Sequence, residues 1–177
     1  MDICTTDRCA ELLHALGLNE AGDPIDRLRA RDLGVNLPHR SLWILKPCFA
    51  SYSHLLDSWF EEDNVDQEYL FWLTDWGLFL DFQMELYLRT IGLGPQTILN
   101  DIPGITATAS EVNALKGVLL LAMNCQWDGV VVASDGGKAT SILGFDNDEG
   151  IEVALADENH ISRVLETMKH LKASQLD

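Results

Sequence analysis

Six carboxylates stand within the twelve residues from Asp57 to Glu68, beside the large aromatics Trp59 and Phe60. Neighbouring carboxylates do acid–base chemistry when burial against apolar groups splits their pKa values, leaving one protonated and one ionised. Glu61, Glu62, Asp63 and Asp66 follow one another on a polar stretch that offers no such burial, so they read as a solvated run. Asp75 differs, because it lies between Trp72 and Trp76 in an otherwise apolar segment. Together with Trp127 and Asp128 it outlines one alternative, a small-ligand pocket or enzyme site formed by Trp72, Asp75, Trp76, Trp127 and Asp128.

Other combinations fail on spacing. Asp146-Asn147-Asp148-Glu149-Gly150 has the clustered oxygens that a hard cation wants. Placing Gly150 at the sixth position of a calcium loop puts Phe145 first and Ala156 twelfth, where acids are required, so a β-turn is expected instead. Asp135-Gly136-Gly137-Lys138 lacks the phosphate-loop spacing and reads as a hairpin turn. The histidines (His14, His39, His54, His160, His170) form no HxH, HxxxH or HExxH pattern, and the cysteines (Cys4, Cys9, Cys48, Cys125) form no CxxC. His54 lies near Asp57 and Ser58, as neighbours in any helix do. No catalytic residue, metal site or cofactor is expected. Cys48 and Cys125 lie in apolar surroundings and read as reduced core residues, whereas Cys4 and Cys9 read as accessible thiols, a pattern that fits the cytosol.

The elements that must position these groups are legible in part. Thr5, Thr6 or Asp7 caps a first helix that ends at Gly17. Ser41 to Leu45 reads as a short strand, Cys48 to Phe60 as a helix, and Tyr69 to Leu80 as a buried strand with a bend at Gly77. Phe82 to Thr90 reads as a helix, Ile98 to Gly104 as a connector, and Ser110 as the cap of a helix ending near Asn124. Gly129 to Ser134 and Lys138 to Phe145 form a hairpin, Ile151 to Ala156 adds a third strand, and Asp157 caps a last helix. The expected fold is α+β: a mainly antiparallel sheet with a C-terminal three-strand meander, helices on one face and at both ends. One domain is expected over residues 1–177, with a helical N-terminal part (1–60) and an α+β core (68–177).

At 177 residues with 47% apolar side chains and a net charge of −16, the chain is globular and strongly acidic. Between Lys46 and Arg89 it has nine acids and no Lys or Arg, and between Ala139 and Ser162 six more acids and again no Lys or Arg. A focused negative field repels nucleic acid and anionic membranes and steers basic proteins toward it. No apolar run approaches the ~20 residues that span a bilayer, and MDICTTDRCAELL lacks the form of a secretory signal. Aromatics anchor interfaces, so Trp59 and Phe60 with Glu61, Glu62, Asp63 and Asp66 are the expected partner-binding edge. Asp146, Asp148 and Glu149 would form a second edge if the fold brings the two acidic segments together.

The segment Glu68 to Gly77, EYLFWLTDWG, resembles a group of uncharacterised bacterial proteins with the motif EY-x-x-W-[VL]-T-[ED]-WG. The resemblance extends over residues 68–155 through Glu85-Leu86-Tyr87, Ile102-Pro103-Gly104, Gln126-Trp127-Asp128 and the turn after Gly144, with Glu85 and Asn147 where that group places histidines. It implies a shared fold unit and no particular reaction. By analogy, small acidic proteins of this kind look like immunity proteins that neutralise bacterial toxins. The expectation is thus a cytosolic immunity-type protein covering the basic active surface of a cognate toxin domain, with a small-ligand protein, an enzyme or a structural homodimer subunit as alternatives.

Overall fold

The computed structural model describes residues 1–18, 37–60, 66–75, 89, 104–146 and 150–176. Their strands are β1 (Asp2–Cys4), β2 (His39–Ile44), β3 (Glu68–Asp75), β4 (Gly104–Thr108), β5 (Asp128–Asp135), β6 (Lys138–Asp146), β7 (Gly150–Leu155) and β8 (Ser174–Leu176). The helices are α1 (Thr6–Ala15), α2 (Phe49–Trp59), α3 (Val112–Asn124) and α4 (Glu158–His170). The strands make one sheet in the order β1-β4-β3-β5-β6-β7-β2-β8, with every neighbouring pair antiparallel. The fold class is therefore α+β, and β5-β6-β7 is the meander the sequence predicts.

Both faces of the central strands are covered, which explains why β5 reads as the unbroken apolar run GVVVAS and not as an alternating strand. On one face Tyr69, Phe71, Val131, Leu143, Phe145, Val153 and Leu155 meet α2, α3 and α4 through Leu55, Leu56, Trp59, Leu115, Leu119, Ile161 and Val164. On the other, Leu70, Trp72, Val130, Val132, Ile142 and Ala154 meet Cys9 and Leu13 of α1, together with Leu18 and Leu37. Each fully buried Leu, Val or Phe contributes ~1.5–3 kcal/mol, so the larger cluster under three helices dominates stability.

The N-terminal part is built into this sheet and is not a separate helical unit. β1 pairs with β4 across more than 100 residues of chain, and β2 lies between β7 and β8. Cysteine placement also departs from expectation. Cys4 and Cys9 are buried between α1, β1 and β4, whereas Cys48 is exposed and Cys125 half-buried. Burial is tight enough at this point that a Cβ on Gly104 would fall 2.1 Å from the Cys9 sulfur. Loss of hydration pushes the Cys9 thiol up to about 12.

Helix ends follow local chemistry. Thr5 accepts the Arg8 N–H and Asp157 accepts the His160 N–H, as their types suggest. The start of α3 is set by Thr108 and not by Ser110: Thr108-Ala109-Ser110-Glu111 is a capping box around a 3-10 turn, and Glu111 accepts the Thr108 N–H at 2.9 Å. Glu111 also meets the Met1 amino group, and these contacts hold its carboxyl below the usual range. In β3 the register irregularity falls between Leu73 and Asp75. The bend expected at Gly77, the helix expected at Phe82 to Thr90 and most of the connector before Gly104 lie outside the described residues.

Candidate functional site

The link between β2 and α2 turns large apolar groups outward. Strand alternation buries Trp43, whose Nε1 donates to Ser41 Oγ at 2.6 Å, and places Ile44 on the exposed side. Leu45 turns back into the core, and Pro47, with no amide to donate, precedes the helix start. Ile44 is 51% exposed and Phe49, the first residue of α2, is 56% exposed. They are the exposed large apolar side chains among the described residues.

Between this link and the end of the sheet lies a cleft of about 170 Å³. Its walls are Ile44, Leu45 and Pro47, Tyr52 of α2, Met123, Gln126 and Trp127 after α3, Phe145 and Asp146 of β6, and Gly150 and Ile151 of β7. Two backbone positions shape it. Gln126 occupies the left-handed conformation (φ 59) that ends α3, with Gln126 N–H donating to Met123 and Trp127 N–H to Ala122. That position usually holds glycine, and a side chain there costs about 1 kcal/mol. Gly150 has φ 99, and a Cβ on it would meet the Trp43 carbonyl oxygen at 2.2 Å, so the start of β7 closes directly onto β2.

The cleft carries negative charge at its rim through Asp146. Asp128 and Asp75 occupy registered positions on β5 and β3 at the same end of the sheet. A smaller recess of about 30 Å³ beside Thr74, Asp128 and Glu152 has room for about one water. Tyr52 holds its phenol proton above the ordinary value, through burial and then through the nearby Cys48 sulfur. Cys48 makes no side-chain cap bond to α2, yet the Ser51 and Ala50 amides at the helix start draw its thiol below the ordinary value.

The fold separates several groups that the sequence invites one to combine. Trp59 and Phe60 are only 2% and 8% exposed, so they are not surface anchors. They pack on each other edge-to-face at 4.7 Å between centroids and against Tyr69, because the last turn of α2 lies on the sheet. Asp66 is exposed at the β3 start, the end of the sheet where Glu68 pairs with Ser134; Asp146 is at the other end, near Asp128. Six residues of β5 separate those ends, roughly 20 Å, so Asp66 and Asp146 do not form a single face. Glu61, Glu62, Asp63, Asp148 and Glu149 lie outside the described residues. The alternative pocket is divided as well: Trp72 faces α1 and Trp127 faces the three-helix layer, with the sheet between them. Trp76 and the Asp75 side chain lie outside the described residues.

The acidic windows also acquire cations from elsewhere in the chain. Lys116 Nζ lies 3.0 Å from Asp57, and Arg40 pairs with Glu152. The broad groove between α2 and α4, about 870 Å³, mixes Asp57 and Glu166 with Arg163, Lys172, His54 and His170. Alternating charge of this kind describes a solvated surface more than a binding site for one sign of charge. Among the described residues no group of three His, Cys, Asp or Glu could hold a metal ion, and no helix is long and apolar enough to cross a membrane.

The sequence reading missed Ile44, Phe49, Tyr52, Met123 and Gln126 as site residues. Lys46-Pro47 was the available signal, since a proline between an apolar strand and an apolar helix forces a bend that leaves side chains without a covering layer. No family model matches the chain, and neither a curated protein nor a solved structure matches it.

Proposed function

We propose that the protein is a cytosolic protein-binding protein, of the immunity type, that recognises a basic protein partner such as a cognate toxin domain and covers its active surface. The observation that carries this reading is the pairing of exposed Ile44 and Phe49 with an apolar cleft rimmed by Asp146, on a chain of net charge −16. Apolar anchors supply affinity at such interfaces, and surrounding charge supplies association rate and choice of partner. On this reading the anchors are Ile44 at the end of β2 and Phe49 at the first turn of α2, in place of Trp59 and Phe60. The acidic residues at 61–63 and 148–149 contribute to the field that steers the partner.

The test is co-purification with the product of the adjacent gene, followed by binding kinetics. A complex is expected whose association rate falls steeply with ionic strength. Phe49→Asp is expected to weaken it at least tenfold without altering the melting temperature by more than a few degrees. Absence of any complex, or a complex indifferent to both salt and Phe49→Asp, overturns the reading.

A further inference from the structure

We infer that Cys4 and Cys9 are a peroxide-sensitive thiol pair, which closes to a disulfide and clamps the N-terminal edge of the sheet to α1. The inference is independent of the protein-binding reading above. Local helix chemistry sets the pair up. Thr5 is the N-cap of α1, and its side chain accepts the Arg8 N–H. Cys4 is therefore the residue before the cap and Cys9 the fourth residue of the helix. Those two positions meet across the first helical turn as a staple, ordinarily of two apolar side chains. Here both members are thiols. The sheet brings a second constraint to the same point. In the β1–β4 ladder Cys4 stands opposite Gly104. A Cβ on Gly104 would fall 2.1 Å from the Cys9 sulfur and 3.1 Å from the Cys4 Cβ, so the space that glycine leaves open is where the two cysteines meet. The Cys4 sulfur lies 4.0 Å from Thr106 Oγ1, a weak thiol contact that costs little to give up.

Burial selects the oxidant and the order of events. Cys4 is 7% exposed and Cys9 not at all, so the reagent must be small, and hydrogen peroxide is the class that fits. The Cys4 sulfur attacks one peroxide oxygen; the O–O bond breaks, one water leaves, and a sulfenic acid remains. The Cys9 sulfur then attacks that of Cys4, forming the S–S bond and breaking the S–O bond, and the hydroxyl leaves with the Cys9 proton as a second water. Two thiols and one peroxide thus give one disulfide and two waters. Burial, and then the neighbouring Cys4, hold the Cys9 thiol up at about 12, which leaves about one thiolate in 100,000 at pH 7. Contact offsets that deficit, since groups held in reacting position have effective molarities of ~10⁵–10⁸ M. Without such contact an external reagent gains nothing comparable, which is why Cys9 is inert to alkylation yet able to resolve a sulfenic acid beside it. Closure has a structural consequence. β1 is a three-residue strand at the edge of the sheet, and α1 covers the second sheet face through Cys9 and Leu13. The disulfide ties that edge strand to that helix.

The test uses the full wild-type chain, so it depends on no variant folding. Exposed Cys48 is first capped with iodoacetamide, and the folded protein is then treated with millimolar hydrogen peroxide and quenched. It is next unfolded in N-ethylmaleimide and digested with trypsin without reductant. Cleavage after Arg8 separates the two cysteines, so closure is read as peptides 1–8 and 9–27 joined to each other and parted by reduction. The joined pair is expected in more than half of the chains. The oxidised protein is expected to melt roughly 5 °C higher than the reduced one, and the gain should vanish when reductant is added. Recovery of Cys4 and Cys9 as separate N-ethylmaleimide adducts overturns the proposal, as does their recovery as sulfinic acids with no joined pair. A joined pair that lowers the melting temperature overturns it too, since the disulfide would then fit only an opened chain.

Discussion

The two ends of helix α2 both carry large aromatics, with opposite fates. Phe49 opens the helix beside Tyr52 and stands 56% exposed; Trp59 and Phe60 close it beside a run of acids and are buried. The helical face that carries Tyr52, Leu55, Leu56 and Trp59 turns toward the sheet; Phe49 lies on the same side, three residues before Tyr52, but is left exposed at the first turn. At the closed end Tyr69 of β3 packs against both aromatic rings, and Lys116 covers Phe60 at 5.5 Å from the ring centre while pairing with Asp57. The open end faces the cleft. The difference teaches that adjacency to acids does not expose an aromatic; what exposes it is the lack of an element to pack over it.

The sharpest way to break this comparison is to truncate both ends. Trp59→Ala is expected to destabilise the protein by about 3–5 kcal/mol in urea unfolding, the range for a large aromatic removed from a packed core. Phe49→Ala is expected to change stability by less than ~0.5 kcal/mol while weakening partner binding. Equal losses from the two would mean that Phe49 is held by packing after all. Trp59→Phe sharpens the point, since Trp59 Nε1 is buried with no hydrogen-bond partner among the described residues. Replacing the indole with a ring lacking that donor should recover most of the loss.

The open end is exposed without being loose. Gly150 packs against the Trp43 carbonyl in a left-handed conformation, so Gly150→Ala combines backbone strain with a collision against main chain. A loss of about 1–3 kcal/mol is expected, with broadened NMR signals at Ile44 and Trp127. A melting temperature unchanged from wild type would show that the start of β7 can shift away from Trp43 without cost. At the closed end, Lys116→Met removes one ion pair with an exposed Asp57 and one cation–ring contact. The expected loss is about 0.5–1 kcal/mol, partly masked in high salt.

Legibility in the sequence followed locality. The β5–β6 hairpin could be read because its turn glycines, Gly136 and Gly137, stand between two apolar runs that pair with each other. β1, β4 and β8 could not, since three to five residues carry too little periodicity and their partners are remote, Asp2 opposite Thr106 and Leu42 opposite Leu176. The capping box at Thr108 was present in the sequence but masked by Ser110, an equally good cap type two residues later. For the candidate site, acid content was visible while the neutralising cation was not, because Lys116 reaches Asp57 from 59 residues away. The cleft was least legible of all. Tyr52, Met123 and Phe145 each read as core and Trp127 as part of a different pocket, and only the convergence of three element ends leaves a gap among them.

The finest probe of the two ends is thiol chemistry, whose effect at neutral pH is the smallest of these. Cys48 immediately precedes Phe49, is exposed, and has its thiol lowered by the amides of Ser51 and Ala50. Because the thiolate is the reactive species, alkylation of Cys48 by iodoacetamide should reach half its plateau rate below the ordinary free-cysteine value of ~8.5. Cys9, raised to about 12 by burial, should stay unmodified across the same range in the folded protein. The linkage signs are opposite. The depressed Cys48 favours the folded state above the unfolded thiol value, and that contribution fades as pH falls through the folded one. The elevated Cys9 favours folding below the ordinary thiol value, and its contribution fades as pH rises toward 12. Cys9→Ala should therefore flatten the loss of stability above pH ~9, by up to ~1.4 kcal/mol per pH unit. Cys48→Ala should leave that alkaline limb unchanged. Binding of the basic partner should slow Cys48 alkylation, whereas an alkylation rate at Cys48 unchanged in the complex would refute the assignment of the open end.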